Sequence, residues 1–152
     1  MSAPIRSVLV VGSGLIGASV GLACRQLGLD VWLEDADPDA VTVAASRGAG
    51  APGPPTAAPD LVIVAVPPSG APAVIVTMLH TYLDATVSDV SSTKSRLQRE
   101  IDSREVNSSR FVPGHPLAGR EVSGPAAARA DLFADRVWAL TPTATTDPDD
   151  TA

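Results

Sequence analysis

Three of the chain's glycines fall near the N-terminus at a spacing that suits phosphate binding. Gly12-Ser13-Gly14-Leu15-Ile16-Gly17 has the pattern G-x-G-x-x-G, and it joins a Val-rich run to an apolar helical stretch. In that setting Gly12 permits a tight turn, Gly14 lets backbone approach a pyrophosphate, and Gly17 lets the helix pack on the strand. The helix opening at Leu15 and Ile16 offers free N–H groups and a positive dipole end to the phosphates. A carboxylate belongs at the end of the next strand, and Asp35 closes Val31-Trp32-Leu33-Glu34-Asp35, 18 residues after Gly17. It could accept both ribose hydroxyls and would repel a 2′-phosphate, which favours NAD over NADP. Glu34 and Asp37 are near competitors, and Arg47 is too distant in sequence to reverse that preference. Pro67, at the end of the third strand, is expected to join Gly12, Gly14, Leu15, Ile16, Gly17 and Asp35 in contacting the cofactor.

The chain has two histidines. His80 falls on an amphipathic helical stretch and reads as a solvent-edge residue. His115 sits between Gly114 and Pro116, directly after a strand, in what reads as a glycine-containing loop. A histidine held so rigidly suits general acid or base work near neutral pH, although a structural role stays open on residue type alone. Ser88-Asp89-Val90-Ser91-Ser92-Thr93-Lys94 also follows a strand, where open α/β sheets gather their ligands. The single cysteine, Cys24, excludes an intrachain disulfide and a cysteine-based metal site, and its apolar helical setting reads as core.

The elements that position these groups alternate. The continuous apolar run Ser7–Val11 predicts a central strand covered on both faces, and further strands are expected at Asp30–Glu34, Leu61–Val66 and, shorter, near Thr86–Asp89. Helical spacing predicts helices over Leu15–Leu27, Pro38–Ser46, Val74–Leu83 and Lys94–Ile101, the last capped by Ser91 or Ser92. Residues 48–59 read as an exposed loop, and Phe111-Val112 and Val137–Leu140 as the last strands. This alternation implies an α/β fold, a doubly wound parallel sheet of the Rossmann type. Residues 1–146 form the nucleotide-binding domain on this reading. Residues 147–152 read either as an acidic tail or as the start of a helix that goes no further.

Composition removes other classes. With 45% hydrophobic and 18% charged residues the chain is globular rather than disordered. A net charge of −6 and the lack of any basic run argue against a nucleic-acid partner. The uncharged stretch from Val8 to Cys24 is broken by four glycines and is too short for a membrane span, so neither a signal peptide nor a membrane anchor is expected. A reducing cytoplasm is the expected setting.

Gly114-His115-Pro116-Leu117-Ala118-Gly119-Arg120-Glu121-Val122-Ser123-Gly124 resembles the H-P-x-A-G-x-E-x-S-G motif of prephenate dehydrogenases, and Asp89-Val90-Ser91-Ser92-Thr93-Lys94 resembles that family's serine-lysine segment. The resemblance runs from the N-terminus to about Pro148. It implies NAD-dependent oxidative decarboxylation of prephenate, with His115 taking the ring-hydroxyl proton. Ser92 would hydrogen-bond the same oxygen or hold the imidazole, and Glu121 would lie at the substrate mouth. The resemblance leaves prephenate and arogenate both open as substrate. It places the arginines for the substrate carboxylates, and the homodimer contacts, in a helical C-terminal domain absent from these residues. A dehydrogenase of the 6-phosphogluconate type, which lacks the His-Pro-x-Ala-Gly loop, and a stand-alone NAD-binding module are the competing readings.

Overall fold

The structure is a computed structural model and describes residues 3–152. Its centre is β1 (Ser7–Val11), in which Val8, Leu9 and Val10 are wholly buried. Alternate residues of a strand face opposite sides. Val8 and Val10 therefore join one apolar cluster and Leu9 and Val11 the other. The first cluster lies under α1 (Leu15–Gln26) and α2 (Pro38–Ser46). The second lies under α3 (Ala71–Thr81) and α4 (Lys94–Asp102).

Beside β1 lie β2 (Asp30–Glu34) on one side and β4 (Leu61–Val64) on the other. A short β3 (Ala51–Pro52) extends the sheet beyond β2, and β5 (Thr86–Asp89) and β6 (Phe111–Val112) extend it beyond β4. The order is β3-β2-β1-β4-β5-β6, every pairing parallel. This is the doubly wound topology, whose strand order reverses between β1 and β4 and opens a crevice beyond the strands' carboxyl ends.

Several expectations are corrected. Residues 48–59 are not all loop: Ala49 is fully buried and Ala51–Pro52 pairs with β2, because backbone can join a sheet edge without an apolar run. The third helix begins at Ala71, not Val74, since Pro72 fits a first helical turn, and Leu83 lies beyond its end, 69% exposed. The strand at the end of the chain, β8 (Trp138–Leu140), does not enter the parallel sheet. It pairs antiparallel with β7 (Gly114–Pro116), so His115 stands in a strand opposite Ala139 rather than in a loop. Prolines beside it concealed that strand from its sequence. Thr93, without a side-chain bond, occupies the cap of α4 in place of Ser91 or Ser92.

A short 3-10 turn, Pro148–Thr151, is capped by Asp147, whose carboxylate accepts from the Asp149 N–H at 3.0 Å. The turn is tied back to the sheet, for Asp150 accepts from the Thr86 hydroxyl. Among the described residues no helix is long and apolar enough to cross a membrane.

Candidate active site

The glycine turn leaves β1 with Gly12 at φ +103°, a backbone region side chains rarely adopt, and a Cβ there would lie 2.5 Å from Ala65 carbonyl atoms. Gly17 is needed for space: its Cβ would lie 1.7 Å from the Gly12 carbonyl oxygen. At Gly14 a Cβ would meet nothing within 4 Å. The three glycines thus divide their work. Two make the turn and its packing, while the third leaves backbone open toward the crevice. The N–H groups of the first turn of α1 have no partner inside the helix, as at any helix start.

Asp35 is bound into this turn. One carboxylate oxygen accepts from the Ser13 N–H at 2.6 Å and the other from the Asp37 N–H at 2.8 Å. Asp37 in turn caps α2 by accepting from the Asp39 N–H at 2.9 Å. A carboxylate oxygen accepts more than one hydrogen bond, so Asp35 keeps acceptor capacity for a ligand.

The crevice is a cleft of about 870 Å³. Gly12, Gly14, Leu15, Ile16 and Asp35 line one side, Pro67 another, and Ser92 and His115 the far side. Eight of the residues singled out from sequence therefore converge, although Ser92 and His115 lie 23 positions apart in the chain. Gly17 is absent from the lining because its role is packing. Glu121 is absent too: it is exposed, while Ala118, Val122, Ser123 and Gly124 of the same segment form the wall. The structure thus does not bring Glu121 to the cleft. The charged residues in the lining are Asp35 and Asp37, with no lysine or arginine.

Arg47 points elsewhere. One of its guanidinium nitrogens donates to the carbonyls of Pro125, Ala126 and Ala128 at 3.2, 2.7 and 2.6 Å, anchoring the turn that follows the Ser123-Gly124 wall. Arg120 adds a bond to the Ala127 carbonyl at 2.7 Å. His80 is exposed on α3, as expected. Cys24 is half-buried beside the α1/α2 cluster, and burial pushes its thiol up from the ordinary range.

Asp89 carries no signal of a role in its sequence. It ends β5, is fully buried, and holds Lys94 with both oxygens at 2.6 Å. Oδ2 also accepts from the Ser91 N–H at 2.9 Å, and Oδ1 from the Gly114 N–H at 3.1 Å. Burial holds the Lys94 ammonium below its usual range, against the opposing pull of its bond to Asp89 and that carboxylate's charge. No local pattern marks this pair: β5 reads Thr86-Val87-Ser88-Asp89, and a lysine five positions after a strand-end acid is common.

A profile of the family described as "Prephenate dehydrogenase, nucleotide-binding domain" matches residues 20–152. The chain is 41% identical over 143 residues to a probable prephenate dehydrogenase, NovF, of Streptomyces niveus, covering 94% of this chain and 40% of that protein. Among solved structures, arogenate dehydrogenase of Synechocystis superposes with a TM-score of 0.83 at 26% identity, over 95% of this chain and 53% of that one. Prephenate dehydrogenase of Aquifex aeolicus, in complex with hydroxyphenyl propionate and NAD+, superposes with a TM-score of 0.81 at 26% identity, over 99% of this chain and 55% of that one. The chain thus spans 40% of its Streptomyces relative and about half of each of these structures.

Proposed function

This chain belongs to the prephenate dehydrogenase family, and we propose on that premise that it binds NAD and presents His115 and Ser92 to prephenate for oxidative decarboxylation to 4-hydroxyphenylpyruvate. The observation that carries the reading is the single cleft shared by the glycine turn, Asp35, Ser92 and His115. The residues present fit the cofactor. Space at Gly14 and the open first turn of α1 suit a pyrophosphate, and Asp35 suits ribose hydroxyls. A lining with two acids and no cation disfavours the extra phosphate of NADP. Arg47 is committed to three carbonyls instead.

NAD, when bound, supplies the acceptor for the hydride. His115 takes the proton of the ring hydroxyl as hydride leaves the carbon bearing it. Ser92 donates to or accepts from the same oxygen and limits its position. Loss of carbon dioxide then returns an electron pair to the ring, and the product oxygen regains a proton. Aromatisation drives the sequence, so the protein's task is to orient the reactants around one base. Dimerisation, the groups that grip the substrate carboxylates and a cytoplasmic setting belong to this reading as well. Arogenate is the second candidate substrate, favoured by the likeness to the Synechocystis enzyme.

Calorimetric titration with NAD and NADP tests the cofactor half: binding of NAD in preference to NADP supports it, and binding of neither overturns it. His115→Asn, made in a protein that pairs this chain with a substrate-binding domain, tests the chemical half in prephenate-dependent NADH formation. Turnover should disappear while NAD affinity stays within about threefold, less than 1 kcal/mol. Wild-type turnover in that variant would end the assignment of His115.

A further inference from the structure

We propose that Asp89 is a positioning residue, whose one buried carboxylate fixes the serine turn and the histidine strand of the cleft relative to each other. The inference rests on the proposed roles of Ser92 and His115. Asp89 itself does not line the cleft. Its acceptors are aimed at the segments that do. Oδ2 takes the N–H of Ser91, next to Ser92, and Oδ1 takes the N–H of Gly114, next to His115.

Two further observations set this arrangement apart from an ordinary buried ion pair. First, β7 and β8 form a separate two-stranded sheet, so no ladder of sheet hydrogen bonds holds His115 to β5. The Gly114–Asp89 bond spans that gap. Second, Gly114 crosses β5 at closest approach. A Cβ there would lie 2.7 Å from the Asp89 carbonyl oxygen, 2.9 Å from Trp138 Nε1 and 3.0 Å from Ser88 Oγ. The strand is pressed onto the end of β5 and held there by the carboxylate. Lys94 Nζ lies 2.6 Å from both Asp89 oxygens, and the same two oxygens accept from the two amides.

A buried ion pair contributes little net stability compared with apolar residues of the same volume, whereas losing one partner leaves an uncompensated charge. The informative variant therefore removes both charges, as Asp89→Asn with Lys94→Met. The amide keeps the volume and one acceptor but turns a donor toward one of the two N–H groups, so the bridge is broken on one side.

The test uses the imidazole NMR signals of this chain, in which His80 on α3 serves as internal control. In the double variant the His115 signals should move or broaden while those of His80 stay in place. NAD affinity should remain within about threefold of wild type, less than 1 kcal/mol. In wild type, Asp89→Glu gives the same readout with the charge retained, because one extra methylene misplaces both oxygens; it serves if the double variant does not fold. If His115 signals superimpose on wild type in either folded variant, the proposal is overturned. If neither variant folds, Asp89 is a folding determinant and the positioning role is likewise overturned. The NAD titration of the wild-type chain is independent of these outcomes. Its failure would remove the cofactor reading and leave the Asp89 bridge standing.

Discussion

The two walls of the cleft are built by opposite means. The wall at β1 and β2 is made of backbone: three glycines within six residues set the turn, and its side-chain partner, Asp35, lies at the end of the adjacent strand. The wall at β5 and β7 is made by a side chain. A buried carboxylate reaches across 25 positions to Gly114, in a strand that the main sheet does not include. The first wall tolerates no added volume at two of its glycines, yet needs no charge inside the protein. The second places a carboxyl group in the interior with the Lys94 ammonium 2.6 Å from it. Phosphate binding needs N–H groups at fixed places, which backbone supplies. Bringing His115 to the same cleft as Ser92, 23 positions away in the chain, needs a long-range link.

The largest expected effect separates packing from binding within the first wall. Gly17→Ala, with a Cβ 1.7 Å from the Gly12 oxygen, should lose about 3 kcal/mol in denaturant unfolding and lose NAD binding with it. Gly14→Ala should unfold like wild type, since its Cβ meets nothing within 4 Å. Its NAD affinity should still fall roughly tenfold or more, about 1.4 kcal/mol, because the methyl group occupies space kept for the ligand. Equal stability losses in the two would erase the distinction between them.

In the second wall, Gly114→Ala should cost about 2 kcal/mol, as backbone on β5 cannot retreat from the new methyl group. NAD affinity measured by calorimetry should be kept, which is the converse of Gly14→Ala. Loss of NAD binding here would show that the two walls are not separately built.

The smallest effect lies away from both walls, at Asp60. The Arg6 N–H holds its carboxyl below the usual range, helped by the hydroxyl and N–H of Ser7 and opposed by burial. A folded pKa below the unfolded value of about 3.9 contributes stability above that pH, lost as pH falls through the folded value. Asp60→Asn should therefore melt slightly below wild type at pH 7, and the gap should close below about pH 4. A gap independent of pH would assign the effect to packing.

Chemical access to Cys24 follows the same division between local and long-range structure. Its apolar helical run reads as core, but the structure leaves it half-buried at the edge of a cluster, with burial pushing its thiol up from the ordinary range. What the run could not show is which cluster it joins, because that depends on the neighbouring helix.

By itself the sequence determined the parallel sheet, the glycine turn and the acid after β2. Continuous apolar runs, helical periods and G-x-G-x-x-G are local patterns, and local sterics give them one solution. It also drew His115 out through its fixed neighbours, Gly114 and Pro116, but placed it in a loop. Tertiary structure decided the rest. It put His115 in a strand, since pairing with Trp138–Leu140 requires a partner more than 20 positions away. It gave Asp35 a second task in the turn and left Glu121 exposed, outside the cleft lining, in a segment whose path is held by Arg47 and Arg120. It also made Asp89 the bridge between two chain segments. An aspartate at a strand end has no distinguishing local pattern, and only burial and the arrival of Gly114 give its carboxylate a task.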